Sequence, residues 1–135
     1  MCIRDRRGPA RLAHTLIFAA DHPRLAAFYA AVLGWPRTEP AEGFTIVGAP
    51  AAAGIAVHQA PPHALSAPPA DAPLAWREDV ALKPCFEVDD LDAGCAAVVA
   101  HGGATRPAWR WAARRYAECA DPEGNVFQLS APDAP

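Results

Sequence analysis

Apolar residues recur at helical spacing in two stretches of this chain. Leu25, Phe28, Tyr29, Val32 and Leu33 fall on one helix face in the first, and Leu91, Cys95, Val98 and Val99 do so in the second. Both stretches are framed alike. Asp21, and either Asp89 or Asp90, stand where a short side-chain oxygen can accept the free N–H groups of a helix start. Gly34 and Gly102 stand where the residue past the last turn goes left-handed. FAADHPRLAAFYAAVLG (18–34) aligns without a gap on FEVDDLDAGCAAVVAHG (86–102). The chain therefore reads as an internal repeat of one supersecondary unit.

Each predicted helix follows an apolar segment of strand length, 14–20 in the first half and 82–88 in the second. A poorly defined piece near 37–39 and strands at 44–47 and 55–59 follow the first helix. Strands at 105–111, 115–119 and 126–130 follow the second. The last two are joined by Asp121-Pro122-Glu123-Gly124-Asn125, a turn in which Pro122 presets φ while Gly124 and Asn125 tolerate positive φ. The predicted order is β-α-β-β-β, twice: an α+β fold with one module at 11–60 and another at 81–131. The linker at 61–80 contains Pro61, Pro62, Pro68, Pro69 and Pro73, too many for a helix or central strand, and Trp76 is its candidate anchor to the body. Residues 1–10 form a tail. Its first six residues, MCIRDR, resemble a translated transposon-end sequencing adapter, so the chain's own sequence is expected to begin near Arg7 and Cys2 to carry no meaning.

Length and composition narrow the function classes. The chain has 135 residues, 52% hydrophobic and 20% charged, which suits one globular domain with a single core. The apolar runs are shorter than the roughly 18 residues of a membrane span. A net charge of −3 gives no basic excess, so neither a membrane nor nucleic acid is an expected partner. Cys2, Cys85, Cys95 and Cys119 form no CxxC pair, which signals neither a zinc site nor a disulfide framework, and a reducing cytoplasm is the expected setting. The later three have no activating partner that the sequence identifies. Neither GxSxG nor a glycine-rich phosphate loop occurs.

Together HTLIFAAD (14–21), Phe28-Tyr29, VLGW (32–35), FEVDDLDA (86–93) and DPEGNVFQL (121–129) resemble the vicinal oxygen chelate superfamily. That superfamily includes glyoxalase I, extradiol dioxygenases and bleomycin and fosfomycin resistance proteins, and the chain is similar to its glyoxalase-like branch. The resemblance implies two βαβββ modules whose curved mixed sheets pair into an open barrel around a cavity. In metal-dependent members the first and last strands of each module hold a divalent ion that polarises adjacent substrate oxygens.

Carried over residue by residue, the four ligand positions fall on His14, Ala56, Lys83 (within one residue) and Gln128. A methyl group cannot coordinate, and an ammonium repels a cation. His58 shares the strand face of Ala56, so a shifted set of His14, His58 and Gln128 is the alternative for a divalent metal such as Zn, Ni, Mn or Fe, but no metal is favoured. The resemblance then implies a small-molecule binder whose ligand lies between the sheets. Its candidate ligand-binding residues are His14, Phe18, His58, Phe86, Trp109, Trp111, Tyr116 and Gln128, the rings supplying flat walls for a planar ligand. Trp109 and Trp111 are two apart and so share a strand face. Arg106, Arg110, Arg114 and Arg115 could pair with a ligand carboxylate or phosphate, or serve as solvated loop charges. Glu118 is a weak candidate general base. His22 and His101 are expected as caps or surface groups, and His63 lies in the linker. The alternative activity is a metal-dependent lyase, isomerase or dioxygenase of the glyoxalase type. A homodimer, common in the superfamily, is the assembly the resemblance allows.

Overall fold

Asp21 and Asp90 both cap helices, and this sets how each half folds. In the computed structural model, which describes residues 8–48, 53–65, 69 and 71–133, the Asp21 carboxylate accepts from the Arg24 N–H at 3.2 Å and opens α1 (His22–Leu33). Asp90 does the same for Ala93 at 3.1 Å and opens α2 (Leu91–Ala100). Gly34 closes α1 at φ +66°, a conformation a Cβ would make costly. The adapter-like run at 1–6, Cys2 and Pro68 lie outside the described residues.

In the first half, β1 (His14–Ala19) runs parallel to β3 (Gly54–Gln59), and β2 (Phe44–Val47) pairs antiparallel to β3, giving a mixed sheet of order β1-β3-β2. Thr15, Ile17 and Ala19 turn toward α1, and His14, Leu16 and Phe18 turn away, as the two-residue period of a strand requires. The expected strand near 37–39 is reduced to one isolated bridge, Arg37 to Val47. Pro36 and Pro40 flank it and remove the N–H groups a longer ladder would use.

The second half holds β4 (Cys85–Glu87), β5 (Ala104–Thr105), β6 (Trp109–Trp111), β7 (Arg114–Ala120) and β8 (Val126–Pro132). Their order is β4-β8-β7-β5, with β6 also on β7 and β4 parallel to β8. The single strand expected at 105–111 is thus two short strands, split where Pro107 cannot donate to the ladder. The β6–β7 hairpin turns on Ala112 and Ala113, both left-handed at φ 51° and 61°. Nothing in an Ala-Ala pair announces such a turn.

The halves meet through an aromatic cluster and a polar latch. Tyr29 on α1 packs edge-on to Phe28 and Phe127, with ring centroids 5.1 and 5.5 Å away, and Phe86 lies 5.7 Å from Trp35. The Tyr29 hydroxyl donates to the wholly buried Asp121 carboxylate at 2.7 Å. Asp121 also accepts from the Asn125 side-chain amide and from the N–H groups of Glu123 and Asn125. Glu123 in turn accepts from the Ala20 and Asp21 N–H groups at 2.7 and 3.0 Å, holding the end of β1. Within the 121–125 turn only Gly124 takes positive φ; Asn125 instead contributes its side-chain amide.

The described part of the linker is tied down at its far end. Arg77 donates its backbone N–H to the Gly124 carbonyl at 2.8 Å and its Nε to the Glu123 carbonyl at 3.1 Å. The Arg106 guanidinium lies 4.0 Å from the centre of the Trp76 ring, so Trp76 is the expected anchor. No helix among the described residues is long and apolar enough to cross a membrane.

Candidate functional site

The sheet surfaces turned away from the helices carry most of the sequence-predicted side chains, arranged in cross-strand rows. In the first sheet, Phe18, His58 and Phe44 stand side by side in register. The His58 ring stacks on Phe44 with centroids 5.7 Å apart and lies 6.0 Å from Phe18. Phe18 is 56% exposed. The next row is Leu16, Ala56 and Ile46, so this face is nearly without charge.

In the second sheet, Cys85, Gln128 and Glu118 form one row, and Glu87, Ser130, Tyr116 and Trp109 form the next. Trp109 stacks on Tyr116 at 5.7 Å with rings 17° from parallel, and Trp111 tilts over the same ring at 6.4 Å. These three rings and Gln128 line a recess of about 250 Å³. Trp111 is 69% exposed. Charges fill the rest of this face. Lys83 forms an ion pair with Glu118, whose other oxygen accepts from Arg106 at 3.4 Å, while Arg106 also meets Glu78 at 2.5 Å. The Arg106 charge and hydrogen bond hold the Glu78 carboxyl below its usual range. Arg114 pairs with Glu87 at 3.4 Å and donates to the Ser130 hydroxyl.

Between the sheets, β1 and the linker segment bound a cavity of about 290 Å³, lined by Leu16, Phe18, Val80, Leu82, Asn125 and Val126 among others. Its apolar rim faces solvent: Leu82 is 87% exposed. Large apolar side chains concentrated around one hollow mark a surface built to be covered.

Phe18, His58, Trp109, Trp111, Tyr116 and Gln128 thus lie on the open faces. Phe86 does not: its ring packs against Tyr29, Trp35 and Phe127 on the helix side. The gapless repeat alignment equates it with Phe18, but the caps equate Asp21 with Asp90 rather than Asp89. That shift of one residue puts the two rings on opposite faces. The same shift places Lys83 opposite His14 in the repeat. His22 is also not a surface group; it is buried, with Nδ1 3.1 Å from the Thr45 hydroxyl, whereas His101 caps α2 and His63 is exposed. Of the four arginines, Arg106 and Arg114 reach the open face. Arg115 pairs with Asp92 on the helix side, and Arg110 pairs with Asp133.

A divalent ion does not fit this donor set. His14 is in register with Gly54, and His58 with Phe18, four residues further along, a separation of roughly 13 Å at about 3.3 Å per residue. Two metal–nitrogen bonds of about 2.1 Å cannot span it, so the strand register dissolves the set of His14, His58 and Gln128. Ala56 brings only a methyl, and Lys83 brings a cation already engaged by Glu118. Among the described residues no three His, Cys, Asp or Glu side chains gather where they could hold an ion.

Sequence reasoning missed Asp121 and Glu123 as the latch between the halves. Burial pushes the Asp121 carboxyl above its ordinary value against the pull of its hydrogen bonds, and burial together with the Asp121 charge raises the Tyr29 hydroxyl well above its own. Their partners lie about a hundred residues away, and turn chemistry alone carries no such signal.

The sequence profile of the glyoxalase-like domain matches residues 14–130. The chain belongs to this family. Solved structures share the fold at low identity. A glyoxalase/bleomycin resistance protein/dioxygenase family enzyme from Burkholderia phytofirmans PsJN superposes with a TM-score of 0.67 at 19% identity, covering 90% of this chain and 98% of that one. TnmS3, an antibiotic binding protein from Streptomyces sp. CB03234, gives 0.65 at 20% identity, covering 94% and 99%. The bleomycin resistance determinant encoded on transposon Tn5 gives 0.62 at 16%, covering 93% and 100%. No curated protein sequence matches the chain. The repeat, the mixed sheets and the DPEGN turn are thus those of a glyoxalase-like domain.

Proposed function

We propose that this glyoxalase-like domain binds a small, planar, largely apolar molecule on the open faces of its sheets, without a divalent ion. One observation carries the reading. The open faces hold two exposed aromatic groups, Phe18–His58–Phe44 and Trp109–Tyr116–Trp111, while the chelating positions hold a methyl, an amide and an ion-paired ammonium beside His14. Stacked rings recognise flat ligands, each good aromatic contact adding about 0.5–1.5 kcal/mol beyond area burial. The printed descriptions of TnmS3 and of the Tn5 determinant, one binding an antibiotic and the other conferring resistance to one, are consistent with this class of ligand. Glu118 is committed to Lys83 and Arg106, so its part is to hold those cations over the face rather than to take a proton.

The test is a panel of aromatic antibiotics and aryl thiol adducts added to protein in a metal chelator, read by tryptophan fluorescence and melting temperature. A ligand at a hundredfold excess over its Kd stabilises by about 2.7 kcal/mol. The reading expects at least one compound to quench fluorescence and raise the melting temperature, with both effects weakened in Trp109→Ala. A panel that moves neither signal overturns it in favour of a purely structural or assembly role.

A further inference from the structure

Cys95 and Cys119 face one another across the packing of α2 on β7, on the side of the sheet opposite the proposed ligand surface. Leu91 and Val98, both buried, set the sheet-facing stripe of α2, and Cys95 sits between them one turn from each, half-buried and packed against the core. On β7 the residues turned toward α2 are Arg115, Ala117 and Cys119, and Cys119 is wholly buried. One end of this interface is pinned by Asp92, whose two carboxylate oxygens accept from the two terminal nitrogens of Arg115 at 3.3 and 3.1 Å. At the other end the Cys119 thiol donates to the Ala117 carbonyl of its own strand at 3.8 Å, with the Cys95 side chain as its neighbour across the interface.

We infer that Cys95 and Cys119 form a built-in site of reversible oxidation, in which hydroperoxides convert the two thiols to a disulfide joining α2 to β7. The groups facing Cys95 support its role as the attacking sulfur. Once ionised, the Cys95 sulfur can accept from the neighbouring Cys119 thiol, and this with the Arg115 charge favours its thiolate while burial and Asp92 oppose it, so that its pKa is lowered from 9.0 to about 7. Cys119 is pushed the opposite way by that same hydrogen bond and by burial, and stays a thiol. Reaction order follows from this asymmetry.

The Cys95 thiolate attacks one peroxide oxygen, the O–O bond breaks, and the departing oxygen takes up a proton and leaves as water or alcohol. Cys95 is then a sulfenic acid. Cys119 sulfur attacks the Cys95 sulfur, expelling hydroxide, which takes the Cys119 proton and leaves as water. The two sulfurs lose two electrons and the hydroperoxide gains two. The consequence reaches the ligand surface because Tyr116 and Glu118 ride on the opposite face of β7. A disulfide through Cys119 ties that strand to the helix behind it. Cys85, exposed on the open face, lacks a neighbouring thiol among the described residues and serves as the internal control.

Stoichiometric hydrogen peroxide added to the full chain, followed by alkylation and peptide mass mapping, tests the assignment. The expected product is a monomer lighter by two hydrogens, with the Cys95 peptide linked to the Cys119 peptide and the link reversed by dithiothreitol. Its yield is unchanged in Cys85→Ala and abolished in Cys95→Ser. Alkylation of Cys95 before oxidation is expected to follow a titration with its midpoint near the lowered thiol value. Cys119→Ala and Cys119→Val, which keep a small apolar group in the core, should leave Cys95 trapped as a sulfenic acid that a dimedone-type probe captures. Cross-linking through Cys85, or over-oxidation of Cys95 with Cys119 still reduced in the folded wild type, would overturn the proposal.

Discussion

The two halves share a plan on one side of their sheets and diverge on the other. Toward the helices both bury apolar side chains beneath an Asp-capped helix: Ile17, Ile55 and Val57 under α1, and Ala117, Cys119 and Leu129 under α2. On the open side the first half shows rings and aliphatics with hardly a charge, whereas the second shows three aromatic rings embedded in the ion pairs of Lys83, Glu118, Arg106 and Glu78. The side packed on the helices is constrained by close packing. The open side is free of that constraint, and there one half has become an apolar wall while the other has become an aromatic and electrostatic one.

The largest expected effect comes from cutting what joins the halves. Asp121→Ala leaves the Tyr29 hydroxyl, the Asn125 amide and two backbone N–H groups without their acceptor, and at about 1–3 kcal/mol per stranded buried group the loss should exceed 3 kcal/mol in a denaturant titration. In a double-mutant cycle, Tyr29→Phe should couple to it strongly. The Tyr29 pKa is raised in the folded state, so the stability linked to its proton is complete below the ordinary tyrosine value. That stability falls as pH rises through the folded value. Tyr29→Phe should therefore remove the alkaline decline from a stability–pH curve.

Next in size is Gly124→Ala. With φ at +87° and a Cβ that would sit 2.0 Å from the Ala75 carbonyl oxygen, the change should cost about 2 kcal/mol or more. It should also free the linker, seen as faster proteolysis near Arg77. In the opposite direction, Ala112→Asn with Ala113→Gly suits the left-handed hairpin turn and should stabilise the second half by about 1–2 kcal/mol in thermal melts. If that gain is absent, the alanines are not strained and the contrast between the tightly turned second half and the first weakens. The smallest effect is expected from Asp92→Asn, which removes an exposed ion pair. Arg115 holds the Asp92 carboxyl below its usual value, so the contribution is present above that value and lost as pH falls through the folded one. At neutral pH and ordinary salt the melting temperature should barely move.

Features set by neighbours in the chain were legible in the sequence. The caps at Asp21 and Gly34, the strand Phe44–Val47, and the shared face of Trp109 and Trp111 all follow from side-chain oxygens, backbone freedom and strand alternation within a few residues. Register was less legible, because a choice between Asp89 and Asp90 as the cap decides which face Phe86 takes, and both are aspartates. The latch was not legible at all, since Glu123 finds its donors at Ala20 and Asp21 only after the whole chain has folded. The Lys83–Glu118 pair is of the same kind, being made between β7 and a residue two positions before β4 across the sheet.

Under the proposed reading that ion pair replaces a ligand of the metal-dependent members of the family, so metal content is the most direct measurement of the account. Protein refolded with Zn, Ni, Mn or Fe, dialysed and analysed by elemental mass spectrometry, should retain well under one equivalent, and His14→Ala should change nothing. One equivalent of a single ion, retained by the wild type and lost in His14→Ala, would contradict it.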